Sequence, residues 1–397
     1  MTKWIVCLQG IALLVFAAIA SDETTASTHL PQAVLHFPGS SPRAVNLTPD
    51  NGISFKVTSD AGWAVWWFFG VEQIAPQTPL LLRDGNISSP VVSEDRKTWR
   101  YFERNKPVII ASNKAWFAWY VPYLLEDAQE LTRSLVEAKR PVQTRELCRS
   151  EGGFPVPLLE IREPAERPKP VLWIQARQHA WEVGGSWTAH GVALWAASDD
   201  PQAKALRSRV DMIIVPIMDV DNVQRGNGGK DQKPHDHNRD WTDTPHWASV
   251  RAAQGELRKL VTEKRLRLFI DMHDPGYQGK GVEYWIDSLK ALTPVALAST
   301  SRLADIYKKG FLSAYTYSGF HETGLHYGGG HTAGSWTRIL TGHDLVDGSL
   351  EIPVGPPKGF NQPPPTQHLL LGADIGRCLS QWLIAEETAL PKKDAAQ

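Results

Sequence analysis

Cysteine is scarce in this sequence. The 397 residues include 3 cysteines, none with a partner at Cys-x-x-Cys spacing, which excludes a cysteine-rich zinc site and a dithiol redox motif. Net charge is scarce as well: 42 Lys and Arg stand against 43 Asp and Glu, and no basic run breaks the balance. Nothing here recruits a phosphate backbone, so nucleic acid is not an expected partner. Long apolar runs are missing too. Past residue 20 no stretch approaches the roughly 20 apolar residues of a membrane span, so no stable membrane anchor is expected. There is no internal repeat, and nothing sets an oligomeric state.

What is present begins with a hydrophobic content of 42%, enough for a full-sized core. Residues 1–20 have the layout of an export signal: Lys3, an apolar stretch at 11–16, then Ala18-Ile19-Ala20 before the polar Ser21-Asp22-Glu23. Gln9 and Gly10 interrupt the apolar run, which favours a cleaved signal over an anchor. Cleavage after Ala20 would give a secreted or periplasmic protein. Cys7 would leave with the signal, and Cys148 with Cys378 would remain as one possible disulfide.

Residues 30–123 read as a small β-sandwich domain. Ile53, Phe55 and Val57 alternate with Ser54, Lys56 and Thr58, and turn signals at Asp50-Asn51-Gly52 and Asp84-Gly85-Asn86 separate the strands. Several of the 16 tryptophans fall here, and core packing accounts for them better than an exposed platform for glycans.

A helix over 124–139, followed by Arg140-Pro141, marks a boundary, and beyond it the pattern changes. The segments 171–176, 212–217 and 268–272 are compact apolar runs of strand length, separated by helical segments such as 186–197 and 248–260. That alternation predicts an α/β domain over 124–388, a mixed, largely parallel sheet between helices. A helix over 367–386 closes it, and 389–397 reads as a tail.

In open α/β sheets catalytic groups gather at the carboxyl ends of strands, so the residues after each apolar run are the first candidates. The first run leads into His179-Ala-Trp-Glu182, the second into Asp219 and Asp221, the third into His273-Asp274. Two histidines and one glutamate leave zinc an open fourth position for water. A lone His-x-x-Glu is more often a surface pair, but His273 also follows directly on a buried run.

Gln175-Ala-Arg-Gln-His-Ala-Trp-Glu182 and Pro216-Ile-Met-Asp-Val-Asp-Asn-Val223, together with Gly226-Asn227 and Asp236-His-Asn-Arg-Asp-Trp241, resemble the zinc carboxypeptidases. The resemblance is nearest the branch of the cytosolic carboxypeptidases and their bacterial relatives, over roughly 125–385. It implies one zinc ion held by His179, Glu182 and His273, and a peptide or protein C-terminus as substrate. The carboxylate-binding pair falls on Asn238 and Arg239, whose planar guanidinium suits a terminal carboxylate; the plainer alternative is an arginine paired with Asp240 or Asp243. Asp236 matches the carboxylate that accepts from the first zinc-binding histidine. His235 and His237 flank it without a counterpart and are left out of the ligand set.

Glu351, in Gly348-Ser-Leu-Glu-Ile-Pro353, matches the family's general base, a carboxylate that takes a proton from water activated by zinc. A glutamate in that setting could also be a mere edge-strand charge. The sequence departs from the pattern at Gly229, where the family has an arginine that steadies the oxyanion. Lys230 or Arg225 could supply that charge, and Lys230, adjacent and long-stemmed, is preferred. Tyr327 is the candidate to close over substrate, and Arg338 to select an acidic side chain. Two other functions stay open: a zinc amidohydrolase or deacylase on acylated amino acids or cell-wall peptides, and a non-catalytic binding protein that kept the fold.

Overall fold

Short strands make up the first third of the computed structural model. It describes residues 31–389 apart from 42–44, 49–51, 56–64, 86, 88, 231, 276–280, 313–314, 325–326, 358 and the side chains of 327–328. The expected signal at 1–20 and the tail from 390 lie outside the described residues, as does Val57. Strands β1 (Gln32–Val34), β2 (Val45–Leu47), β3 (Gly52–Phe55), β4 (Phe68–Glu72), β5 (Thr78–Leu82), β6 (Val91–Ser93), β7 (Trp99–Tyr101), β8 (Pro107–Ile110) and β9 (Lys114–Ala118) come first. They form a five-stranded sheet, β1-β4-β9-β6-β7, and a four-stranded sheet, β2-β3-β5-β8. Aromatic rings join the two: Phe55 lies 5.1 Å from Trp67 and 4.9 Å from Phe69. Trp66, Trp67, Trp99 and Trp119 are all buried, so they serve this core and offer no exposed platform.

The change of pattern near residue 124 is not a gap in packing. From Pro31 onward the chain forms one compact unit, and one apolar cluster runs from Phe69 and Phe117 into Trp173, Trp181 and Phe269. Trp119 meets Trp181 edge to face at 5.6 Å, and the Tyr120 hydroxyl lies 2.9 Å from His368 Nδ1.

The second part holds helices α1 (Leu125–Glu137), α2 (Val183–Ala196), α3 (Pro201–Arg207), α4 (Val220–Arg225), α5 (Ala248–Thr262), α6 (Pro294–Gly310), α7 (Ala333–Leu340) and α8 (Thr366–Ala389). Its strands are β10 (Val142–Arg149), β11 (Pro155–Ile161), β12 (Val171–Ala176), β13 (Asp211–Val215), β14 (Leu266–His273), β15 (Val282–Ile286), β16 (Tyr317–Glu322) and β17 (Val346–Glu351). They form one eight-stranded sheet in the order β10-β11-β13-β12-β14-β17-β15-β16. The pairs β13–β12, β12–β14, β14–β17 and β15–β16 are parallel, and the rest antiparallel, so the sheet is mixed and largely parallel.

Strand alternation divides the core between the two faces. Val171, Trp173, Ile213, Val215 and Phe269 belong to the cluster that includes Val250 and Leu257 of α5. Leu172, Ile174, Met212, Ile214, Leu268 and Ile270 belong to the cluster that includes α2 and α8. This two-sided burial is why the central strands read as continuous apolar runs. Glycines let α2 and α8 close tightly: a Cβ on Gly191 would lie 2.4 Å from Leu369 O, and one on Gly372 2.3 Å from Thr188 O. Both described cysteines, Cys148 and Cys378, are free, so the disulfide left open by the sequence does not form.

Candidate active site

The carboxyl ends of β12 and β14 bring three metal-ligand side chains together. After β12, Arg177 takes a left-handed conformation, φ +66°, and turns the chain off the sheet. Its buried guanidinium holds the turn, with Nε donating to Ala180 O at 2.7 Å and Nη1 to Ser186 Oγ at 3.1 Å. This sets His179 and, one residue before α2, Glu182 above the sheet edge. His273 is the last residue of β14.

All three are buried, and their ligand atoms lie within 4.8 Å of one another. Glu182 stands in the centre, Oε1 2.7 Å from His179 Nδ1 and Oε2 2.8 Å from His273 Nδ1. The outer nitrogens face carboxylates too: His273 Nε2 lies 2.8 Å from Asp271 Oδ2, and His179 Nε2 3.6 Å from Asp236 Oδ2. A neutral imidazole carries one N–H and one lone pair, so it cannot donate to carboxylates on both sides. A divalent cation among the inner atoms resolves this, because the outer N–H groups then go to Asp236 and Asp271 and the inner lone pairs go to the metal. The donor set of two imidazoles and one carboxylate fits zinc.

Proton affinities follow the same arrangement. Burial disfavours charge on His273, yet Asp271 and Glu182 raise it well above the ordinary imidazole value. Burial works against ionised Glu182 as well, and the two imidazoles hold its carboxyl well below the usual range. Asp236 is likewise lowered against its burial, by His179 and then Lys230.

Glu351 ends β17, directly opposite His273 in the parallel pairing with β14. Burial pushes its carboxyl up to about 7, a value suited to proton transfer, with His273 pulling the other way. A cation beside it would pull it back further.

His179, Glu182, His273 and Glu351 line one cavity of about 280 Å³, together with Lys230, Asn238, Arg239 and Arg338. The sequence expectations thus converge in space, with qualifications. Asn238 is buried and committed: Oδ1 accepts from Gln178 Nε2 at 3.1 Å and from Ala333 N at 2.9 Å. Arg239 Nη1 donates to Asn238 O at 2.8 Å. Lys230 Nζ lies 3.3 Å from His179 Nε2. Gly229 has φ +78°, and a Cβ there would lie 2.9 Å from Ala180 N and 2.7 Å from Asp219 Oδ2, so an arginine does not fit at this position. The side chain of Tyr327 lies outside the described residues.

Arg338, expected to read an acidic side chain, is 2% exposed and already met by two carboxylates, Asp347 at 2.8 Å and Asp287 at 3.0 Å. Asp219 and Asp221 are structural. Asp219 accepts from Asn222 and Gln232, and Asp221 from Ser150 and Gly152. His235 pairs with Asp240, and His237 lies between Gln232 and Ser249, both outside the metal cluster.

Asp271 is the residue the sequence reading passed over. It lies inside an apolar run, but two positions before His273, which on a strand is the same face. Its Oδ2 also accepts from Gln178, whose Oε1 takes the Trp241 indole N–H at 2.8 Å.

Residues 130–273 match the family described as zinc carboxypeptidase. The chain carries a zinc carboxypeptidase domain. It is 28% identical over 168 residues to cytosolic carboxypeptidase 2 of Xenopus tropicalis, covering 40% of this chain and 17% of that protein. It is 30% identical over 175 residues to human cytosolic carboxypeptidase 1, covering 40% of this chain and 14% of that one. The chain therefore spans under a fifth of these relatives' length.

Among solved structures, a metallo-carboxypeptidase from Burkholderia cenocepacia shares the fold with a TM-score of 0.75 at 19% identity, covering 90% of this chain and all of that one. One from Pseudomonas aeruginosa, in complex with (2-guanidinoethylmercapto)succinic acid, gives 0.70 at 19% identity, over 89% of this chain and 99% of that one. Both likenesses run through the β-rich region as well as the zinc carboxypeptidase domain.

Proposed function

We propose that the protein is a zinc metallocarboxypeptidase, exported by residues 1–20, that hydrolyses the C-terminal peptide bond of a peptide or protein. The observation that carries this reading is the meeting of His179, Glu182 and His273 with Glu351 in one cavity. Zinc held there supplies Lewis acidity toward water and the scissile carbonyl. The chain's own residues do the rest. Glu351 takes a proton from the attacking water and passes it to the leaving amine. Arg239, its guanidinium steadied by the Asn238 backbone carbonyl, meets the substrate's terminal carboxylate. Lys230 faces the negative charge that develops on the carbonyl oxygen, in place of the arginine that Gly229 excludes. Asp236 and Asp271 orient the two imidazoles.

Incubation with peptides differing only in the C-terminal residue, with and without a chelator, tests the reading by mass spectrometry. Loss of single C-terminal residues, stopped by the chelator, is expected; internal cuts would sink it. Release of acyl groups from N-acyl amino acids, with peptides left intact, would move the reading to an amidohydrolase. Export sets this chain apart from relatives that are cytosolic by name. N-terminal sequencing of the protein from its native host should begin at Ser21, and an intact Met1 would remove that part of the proposal.

A further inference from the structure

The cavity has a second end, away from the metal ligands, walled by Trp285, Ile286, Asp287, Thr323 and Ser349 above Arg338. On β17, Glu351, Ser349 and Asp347 are spaced two apart, so strand geometry sets all three on one face. This line of side chains leads from the proposed catalytic carboxylate down to Arg338. There Nε and Nη2 of the guanidinium donate to Asp347 Oδ1 at 3.1 and 2.8 Å, and Nη1 lies 3.0 Å from Asp287 Oδ2.

One edge of the fork is hydrogen-bonded to the almost fully buried Asp347, and Nη1 is ion-paired with Asp287 without a hydrogen bond. Ser335 Oγ donates to the same Asp287 oxygen, 2.5 Å away, and fixes that carboxylate further. The second Asp287 oxygen accepts no hydrogen bond from the described residues, and 14% of the side chain is exposed on the cavity wall. One cation against two carboxylates leaves this end of the cavity with excess negative charge, in surroundings where charge is weakly screened.

An acidic side chain entering here meets Asp287 and a guanidinium whose charge is already balanced by two carboxylates. A basic one meets an acceptor with a lone pair to give. Trp285 and Ile286 supply apolar wall for the methylene stem of such a side chain, while the Trp285 indole N–H is taken by Glu283 at 2.9 Å.

We infer that this end of the cavity receives a basic C-terminal side chain, lysine or arginine, with Asp287 as its partner and Arg338 as the buried cation that holds Asp287 in place. The inference rests on the carboxypeptidase reading above and reverses the acidic preference that Arg338 suggests in the sequence. Arg338 is here a positioning residue.

Steady-state kcat/KM for matched peptides ending in Lys, Arg, Leu and Glu, with the unaltered zinc-loaded enzyme, tests it. Lys and Arg should exceed Leu by about tenfold or more, the scale of a hydrogen bond to a charged group, and Glu should be lowest. Asp287→Asn should bring the Lys-to-Leu ratio close to one. If that variant fails to fold, the unaltered enzyme still decides, and free arginine should inhibit it where free glutamate does not. Cleavage with Leu or Glu preferred over Lys overturns the inference and leaves the peptidase reading standing. No residue lost from any of the four peptides, with zinc bound, overturns both.

Discussion

His273 is held from two sides, by Glu182 on its inner nitrogen and Asp271 on its outer one. Asp271→Asn keeps the shape but weakens the acceptor, so zinc affinity measured by chelator competition should fall about 10- to 100-fold. Glu351→Gln should separate catalysis from metal binding. Its kcat should drop by about 10²- to 10⁴-fold while zinc content, measured by elemental analysis, stays at that of the unaltered protein. Equal loss of zinc would make Glu351 a ligand or a structural residue instead. Lys230→Met should lower kcat by about a hundredfold with a smaller change in KM, if the ammonium acts on developing charge. The three ligands were legible because each follows an apolar run at a strand end. The charge partners of Arg338 were not legible, because Asp287 and Asp347 gain their meaning only from strand pairings that lie far apart in sequence.

At the scale of elements, the central strands and the long helices could be read directly: β12 falls on its apolar run, and α5 and α8 extend theirs by a few residues. Strands β10, β11, β15 and β16 went unread. They lie toward the sheet's two edges, and β10 and β16 are largely solvent-facing, so they lack the continuous apolar signature. The 226–232 loop is the element on which the proposed oxyanion contact depends. It is tied down by Gln232 and Asn222, which both reach Asp219, and by the left-handed turn at Gly229. Gly229→Ala forces a Cβ against Ala180 N, so stability by urea denaturation should fall by about 1–3 kcal/mol. Catalysis should suffer beyond that, since Lys230 moves with the loop; an unaltered kcat in the folded variant would detach Lys230 from the reaction.

The whole molecule is knit by polar contacts as well as by its apolar cluster. His368 is buried, with Nδ1 at Tyr120 OH and Nε2 3.1 Å from Pro353 O, and so joins the β-rich region, α8 and the segment after Glu351. Burial lowers its imidazole to about 3, with the Pro353 carbonyl pulling slightly the other way. In the unfolded chain it returns to the ordinary value near 6.5, so between about pH 6.5 and 3 the unfolded state binds the extra proton. Stability is full above that window and falls as pH falls through it. Unfolding free energies from urea titrations should therefore drop from pH 7.5 to pH 5, by on the order of 1–2 kcal/mol from this residue. His368→Gln should flatten that slope even if it lowers stability throughout; an unchanged slope would assign it to other groups. The boundary near residue 124 was visible in composition, but the packing of Trp119 on Trp181 across it was not, since nothing in the local pattern names a partner so distant. The two unbonded cysteines carry a practical consequence. With no cross-link among the described residues, the folded state does not depend on an oxidant, so a dithiothreitol-treated sample should melt with the untreated one, and the reducing interior of an ordinary expression host suffices to make it.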